Sequence, residues 1–441
     1  MMSFKEVASR LVNVPYELIF KERMGGDAVD LLRGTSYVAT GVIFGSLLTF
    51  IFNILGARIL GPTNFGNFGL ISSIGSILAL SMGLIVYPMI KYASDARDES
   101  EQIRIVSTSY VQTTLIGIAS VAILLVISGP FSQLFGISAE QYLFAIAYAA
   151  TISFFGLTIN SLRIFFKMKA YGLLNTIQSA IVLSVFLVLI SNNMRSWESA
   201  AYSLYISYVA IGLVTIVYLR RYLTLQLDGF WSRRILTYVR FLLPGAIAGA
   251  CMGVDRVLIN VFRSTAEVGI YNAYYLASVT VAITLFLVVN ANFFPYASRT
   301  DDRGAIFIKI TKAAPYIAVS LVLVFCLVVR IAFLLYGYQY TFSWQIAFLF
   351  ALAATSFFFN QWYGWLMLAE GTRGAKVNAR GGIITFIVLI CLDLILIPLY
   401  GIEGAIVTLT FANVSGIFYF TLQRQTLGGS LANAPKRSPE R

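Results

Sequence analysis

The chain has 441 residues, of which 58% are hydrophobic and only 12% charged, and its formal net charge is +12. A soluble domain carries about 25% charged residues, so this composition excludes an ordinary soluble enzyme and places the chain in a bilayer. It has no histidine, which removes the commonest general base and most metal-site designs, and no G-x-x-x-x-G-K-[ST] phosphate loop, which argues against an ATP-driven pump.

Along the first 35 residues the charges are scattered, without a basic start and an uninterrupted apolar segment, so no cleavable leader is expected. Phe4, Val7, Leu11, Val14 and Leu18 recur at helical spacing. Two readings stay open for this segment: a helix lying flat at the cytoplasmic interface, or a partly ordered tail. Twelve apolar runs then follow, near 36–57, 65–90, 105–128, 141–162, 171–192, 198–219, 241–262, 267–294, 313–336, 343–369, 380–399 and 402–422. Each is long enough to cross a hydrocarbon core of about 30 Å, and helices satisfy their backbone amides without water. The expected class is therefore an all-α polytopic membrane protein. Residues 36–219 form an amino-terminal lobe of six spans, 220–240 a cytoplasmic linker, and 241–423 a second lobe of six. Residues 424–441 are expected to be a disordered cytoplasmic tail. Cys251, Cys326 and Cys391 all fall within predicted spans, which argues against a disulfide framework.

The basic residues orient the spans. With the amino terminus in the cytoplasm, every Lys and Arg lies in an inside segment except Arg58, Arg195 and Arg263 outside and Arg256 and Arg330 within spans. Cytoplasmic loops hold such an excess, so both termini are predicted inside, and the positive charge needs no nucleic-acid partner. The chain also repeats. YPMIKYASDARDE (87–99) follows span 2 and FPYASRTDDRG (294–304) follows span 8, while FGNFGL (65–70) sits where VGIYNA (268–273) sits in the second half. The offset is about 204 residues, and an even number of spans per half relates the lobes by an axis along the membrane normal. Two such lobes around a central cavity form a transporter architecture that works by alternating access.

Charged residues at hydrocarbon depth are the candidate functional groups. In span 7, GACMGVDRVLINVF (249–262) places Asp255 beside Arg256. Neighbours in a helix point about 100° apart and do not pair face to face. Arg256 instead shares a stripe with Gly249, Gly253, Asn260 and Arg263, which would be tolerated facing a wet cleft. Span 1 carries a milder stripe, Gly45 or Ser46, Thr49, Asn53 and Gly56, followed by Arg58. Asn290 and Asn292 lie late in span 8, Arg330 in the outer third of span 9, Ser356 and Asn360 on one face of span 10, and Asp393 in span 11. Arginine suits a pyrophosphate, which its fork grips with two parallel hydrogen bonds. A structural alternative stands beside this: Asp255 or Asp393 pairs with Arg256 or Arg330 and fixes helix packing, while Arg58 and Arg263 snorkel to water.

Three runs are similar to signatures of one known family: ARILGPTNFGNFGLISSI (57–74), GVDRVLINVFRSTAEVGIYNAYYLAS (253–278) and LDLILIPLYGIEGAIVT (392–408). They resemble the polysaccharide transporters, the O-antigen or lipid-linked oligosaccharide flippases of the MOP exporter superfamily, and they fall in family order over nearly the whole chain. The resemblance implies two six-helix lobes around a V-shaped cavity in the cytoplasmic membrane. It implies that a lipid-linked oligosaccharide is moved to the outer leaflet, with no catalytic residue, cofactor or metal. A coupling ion, H+ or Na+, is left open, and partners would be membrane lipids and the glycosyltransferases and polymerase of polysaccharide assembly. The charged positions carried over by their motifs are Arg58, Asp255 and Arg256. Arg330, Asp393 and Asn360 rest on the span reading alone. Asp255 would balance charge or bind the coupling ion.

Three other readings compete. A multidrug exporter of the same superfamily would favour an acidic cavity for organic cations. A major facilitator should carry G-x-x-x-D-[RK]-x-G-[RK] after span 2, where YASDARDESEQIR has no glycine. A membrane glycosyltransferase should carry a large outer loop with catalytic acids or histidines.

Overall fold

The computed structural model describes residues 26–224, 226–250, 253–299, 303–370 and 372–426, and among these the chain is helical with no strand. Ten helices are long and apolar enough to cross a bilayer. Two further crossings come from geometry. The helix Gly26–Leu78 contains Gly61 at φ 73° and ψ 171°, a region glycine enters without steric cost, and Pro62 follows without an N–H to give. The rings of Phe52 and Phe68 lie 5.9 Å apart, although a straight helix would separate them by about 24 Å. The chain therefore folds back at Gly61, with span 1 before it and span 2 after it. Span 2 is interrupted at Ala79 and again at Leu84 and Ile85, where Val86–Ser94 begins.

Span 7 supplies the other crossing, in two pieces, Gly229–Ala250 and Val254–Phe262. At one end Trp231 packs on Tyr92, 5.7 Å between centroids. At the other the Asn260 amide donates to the Gly136 carbonyl at 2.9 Å. Tyr92 and Gly136 lie beyond opposite ends of span 3, Glu99–Val126, so the two pieces together traverse the molecule. The remaining spans are Ala139–Ile164, Met168–Ser191, Trp197–Tyr218, Thr265–Arg299, Arg303–Tyr336, Trp344–Leu368, Thr372–Tyr400 and Ile402–Leu422. Twelve crossings in two lobes result, as the apolar runs predict.

Several helices outrun their apolar cores, because polar residues at their ends continue the helix where water or headgroups can solvate them. Span 3 starts at Glu99, capped by Asp98, whose carboxylate accepts the Glu101 N–H and the Ser100 hydroxyl at 2.8 and 2.7 Å. These bonds, the Glu101 amide first, hold the Asp98 carboxyl below its ordinary range. Span 7 starts at Gly229, inside the stretch expected as linker, and span 1 is already helical at Gly26. Residues 1–25 and 427–441 and Cys251 lie outside the described residues; Cys326 and Cys391 are free thiols.

The buried apolar side chains divide unevenly. On the face away from the basic loops one cluster draws on all twelve spans, from Phe52, Phe65 and Tyr142 to Tyr271, Phe350 and Ala412. On the basic face it gives way to two. One joins spans 2 to 6 and the start of span 7, through Met89, Ile105, Leu162, Ile211, Trp231 and Ile235. The other joins spans 8 to 12, through Ala297, Phe307, Tyr363, Met367 and Phe420. Thus the lobes share one core on one face and, among the described residues, keep separate cores on the other. The shared side closes by backbone contact: a Cβ at Gly66 would meet the Thr265 carbonyl, and one at Gly269 would meet that of Pro62.

Between the lobes, the linker is tied to span 3. The Thr224 N–H donates to Ser107 Oγ at 2.9 Å, the Asp228 N–H to Thr108 Oγ1 at 3.1 Å, and the Gln112 amide to Ser232 Oγ at 2.7 Å. The Ser107 and Thr108 hydroxyls and the Gln112 amide nitrogen of span 3 thereby gain partners.

Candidate functional site

The break in span 7 builds the site. Beyond Gly253 the helix restarts at Val254, so Asp255 stands in a first turn whose backbone N–H groups lack intrahelical partners. Its carboxylate accepts the Arg256 N–H at 2.7 Å and the Tyr271 hydroxyl. Arg256 donates from Nε to Asn272 Oδ1 at 3.1 Å, and its guanidinium lies over the Tyr275 ring at 4.2 Å and that of Tyr271 at 5.8 Å. Tyr271, Asn272 and Tyr275 share one face of span 8 by their spacing. Arg256 is 8% exposed and Asp255 2%.

Here the structure corrects the expectation that Asp255 and Arg256 do not pair. Arg256 Nη1 comes within 3.8 Å of Asp255 Oδ1, because Asp255 lies in the first turn, where its carboxylate folds back on the free Arg256 N–H and the long arginine side chain reaches it. The pairing named as the structural alternative is the one formed. Nor does the guanidinium line an open crevice in this conformation: an acid, an amide and two aromatic faces enclose it. Span 2 completes the enclosure. Gly69 packs on the Asn272 amide and Gly253 on Ser73, while Ser76, one turn further, is exposed. The clamp therefore sits near where the lobes part.

The other candidates do not converge on it. Asn260 joins the closed face, its amide donating to Gly136 and its carbonyl accepting the Thr265 hydroxyl at 2.8 Å, so it braces a turn and faces no wet cleft. Arg263 is exposed and reaches the Ile397 carbonyl at 3.4 Å. Arg58 is exposed beside Gly337. Arg330 covers the Phe342 ring at 4.7 Å, so both belong to the end of the molecule away from the basic loops. Asn53 is buried in span 1 and Asn290 in span 8; the side chain of Asn292 is outside the described set. Asn360 donates to Asn413 Oδ1 at 3.0 Å and meets Gly416, inside the second lobe. Asp393 is fully buried, with Thr408 and Asp255 as neighbours. Sequence reasoning named Asp255, Arg256 and Asp393 but missed Tyr271, Asn272, Tyr275 and Thr408. The first three had a legible signal, the Y-N-x-x-Y face of span 8 opposite a charged span 7.

A family model described as "Polysaccharide biosynthesis protein" matches residues 31–301. The chain belongs to that family. No functionally curated protein matches it. Among solved structures, it is similar to a multidrug resistance MATE family transporter of the MOP superfamily in an inward-facing conformation, at 18% identity and TM-score 0.65, covering 88% of this chain and 96% of that one. An outward-facing conformation of a multidrug resistance MATE family transporter gives 17% identity and TM-score 0.62, covering 92% and 99%. A MOP superfamily transporter from Pyrococcus furiosus, reported to have a binding pocket of reversed polarity, gives 16% and 0.62, covering 92% and 99%. At these identities the likeness establishes the fold, which with the family is that of membrane transporters. The Gly61–Pro62 turn and the Asp255–Arg256 clamp both lie within the matched residues of this polysaccharide biosynthesis protein.

Proposed function

We propose that this protein is a flippase that carries a polyprenyl-(pyro)phosphate-linked oligosaccharide from the cytoplasmic to the outer leaflet of the cytoplasmic membrane by alternating access. Both its termini are cytoplasmic in this reading. The observation that carries it is the division of the apolar core: undivided on one face, split into two on the basic face, with a charged clamp where the split begins. Because basic loops face the cytoplasm, the described conformation is the one open to the leaflet where lipid-linked sugars are loaded. Lipid tails stay in the bilayer while the anionic headgroup enters between the lobes. At the apex that headgroup competes with Asp255 for Arg256, whose fork suits a phosphate. Displacing the span 7 to span 8 contacts would loosen the closed face, which is where the clamp is anchored. Glycosyltransferases that build the sugar and a polymerase that extends it are the expected partners.

Proteoliposomes holding a fluorescent polyprenyl-pyrophosphate oligosaccharide test the reading, with a membrane-impermeant quencher reporting the outer leaflet. The wild-type protein should move the probe, and Arg256→Lys, which keeps the charge but loses the fork, should slow it by about tenfold. A protein that leaves this probe unmoved contradicts the flippase reading. Expulsion of ethidium from the same liposomes would select the second reading, an organic-cation exporter, which the acidic Asp255 and Asp393 favour.

A further inference from the structure

A groove of about 370 Å³ lies on the flank of the amino-terminal lobe, within the size range of ligand sites, about 300–1,000 Å³. Tyr110, Val111, Thr114 and Leu115 of span 3 form one wall, Ile216 of span 6 the other, and Leu223 and Thr224 of the linker complete it. Spans 3 and 6 both pack on span 4 and make no extended contact with each other. The linker crosses the gap between them at the basic face, where the Thr224 N–H and hydroxyl donate to Ser107 Oγ at 2.9 and 3.1 Å. Leu115 is 56% exposed, and exposed Ile118 and Leu213 continue the apolar walls by helical spacing. Span 6 packs within its own lobe, so the groove opens toward the bilayer and away from the division between the lobes.

Inside the groove the polar groups already have partners. Tyr110 donates its hydroxyl to Ser161 Oγ at 3.2 Å, Thr114 to the Tyr110 carbonyl at 2.9 Å, and Thr224 to Ser107. With those bonds made, the interior suits a hydrocarbon guest better than a polar one. Its mouth is the reverse. Arg104 lies one turn before Ser107 on span 3, and Arg220 one turn beyond Ile216 at the end of span 6, so both stand on the groove side at the basic end. Arg221 follows, and Lys167 lies over the neighbouring Tyr222 ring at 5.7 Å. The three arginines are exposed, and none makes a hydrogen bond or ion pair among the described residues. Nearby acids are engaged elsewhere. Asp98 caps span 3, Glu101 accepts the Arg97 N–H at 2.8 Å, and Asp228 accepts those of Phe230 and Trp231 at 2.9 and 3.1 Å; Glu99 is exposed at the first position of span 3.

We propose that this groove binds an anionic glycerophospholipid of the leaflet that meets the basic face. One acyl chain lies between spans 3 and 6, and the phosphate sits between Arg104 on one wall and Arg220 and Arg221 on the other. Arginine grips a phosphate with parallel N–H bonds, and basic groups at a membrane surface attract anionic lipids. A zwitterionic lipid offers the same chain but brings an ammonium toward the three arginines. The carrier lipid of a transported sugar is the poorer occupant, because span 6 lies away from the place where the lobes part. Since the linker roofs the groove, a seated lipid ties it to the amino-terminal lobe and to the leaflet. The site needs only that the chain spans a bilayer, so it stands or falls apart from the flippase reading.

Native mass spectrometry tests the site, on the purified full-length protein, delipidated and titrated with phosphatidylglycerol or phosphatidylcholine of matched chains. Wild type should bind phosphatidylglycerol more tightly. Arg104→Ala, Arg220→Ala and Arg221→Ala should each weaken the first phosphatidylglycerol by about fivefold and leave phosphatidylcholine unchanged. Thr114→Trp, which fills the groove from an exposed position, should weaken both lipids. Lys309→Ala with Lys312→Ala, at exposed positions of span 9 in the other lobe, is the control and should change neither. Equal binding of the two lipids by wild type, or a loss in the control as large as at the arginines, overturns the site. Displacement of phosphatidylglycerol by a lower concentration of a polyprenyl phosphate gives the groove to an isoprenoid chain and overturns the phospholipid assignment. If Thr114→Trp does not fold, proteolysis between Leu223 and Ser232 decides. Slowing by phosphatidylglycerol in wild type but not in Arg220→Ala supports the site, and the same response in both chains overturns it.

Discussion

The two faces of this molecule are built differently from the same kinds of residue. Away from the basic loops, all twelve spans share one apolar cluster, and the lobes meet backbone to backbone at Gly66 against Thr265 and Gly269 against Pro62. Toward the basic loops each lobe keeps its own core among the described residues, and the strip joining them is tied to span 3 by hydrogen bonds and packs Tyr222, Trp231 and Ile235 on the amino-terminal core. The first arrangement tolerates no added atom. The second joins the lobes through span 7 without a shared apolar core among the described residues. Span 7 belongs to both: its first piece packs with the amino-terminal lobe through Trp231 and Ile235, and its second enters the shared core through Val257 and Ile259.

The contrast can be broken deliberately. The largest effect is expected at the closed face. Gly269→Val forces a side chain into the Pro62 carbonyl, and no rotamer escapes a clash that begins at Cβ. Loss of folded monomer in size-exclusion chromatography is the expected readout, whereas a normal elution profile with normal unfolding would mean the lobes are not held there.

The clamp comes next. Arg256→Ala leaves Asp255 buried without its countercharge, a loss of roughly 3–5 kcal/mol, while the double variant Asp255→Asn, Arg256→Ala should recover much of it. Unfolding midpoints of the four chains form the cycle, and additive losses would show that the two residues do not act together.

Smaller still is the linker strap. Gln112→Ala removes an amide that donates to Ser232 Oγ and its carbonyl, worth about 1 kcal/mol. The cost should appear as faster proteolysis between Leu223 and Ser232, with little change in the global midpoint. The smallest effect concerns the cap of span 3. The Asp98 carboxyl is held below its ordinary range, so its stabilisation is present at neutral pH and fades as acid titrates it. Asp98→Asn should therefore flatten the acid limb of hydrogen exchange at Glu101 and leave the neutral rate nearly unchanged.

Most of this architecture is legible in the chain, because a bilayer leaves helices few alternatives and the apolar runs mark them directly. The Gly61–Pro62 dipeptide sits within the run 57–74 that resembles the family signature, and the fold makes it the reversal between spans 1 and 2. Less legible is the interruption of span 7. Gly249 and Gly253 read as part of a stripe facing a wet cleft, but Gly253 marks where the helix restarts, and that restart turns the Asp255 carboxylate back on the Arg256 N–H. The partners of Arg256 come from span 8, and nothing in local periodicity says which face of span 8 it meets. Depth alone sets Arg58 and Arg330 among the candidate charged groups with Arg256; their neighbours, Gly337 and Phe342, depend on how the outer ends of spans 1, 9 and 10 pack. Asp393 reads as a charged group at hydrocarbon depth, yet its complete burial depends on how span 11 packs against its neighbours.

The central claim is that the lobes part toward the basic face, meet on the other, and exchange these conditions when the lipid-linked substrate binds. Distances between spin labels test it most directly, on a cysteine-free chain carrying Phe166→Cys with Arg373→Cys for the basic face, or Ser138→Cys with Tyr338→Cys for the opposite face. All four positions are exposed. Adding the polyprenyl-pyrophosphate oligosaccharide should shorten the first distance and lengthen the second. Distances that stay fixed, or that change together in the same direction, would contradict the account.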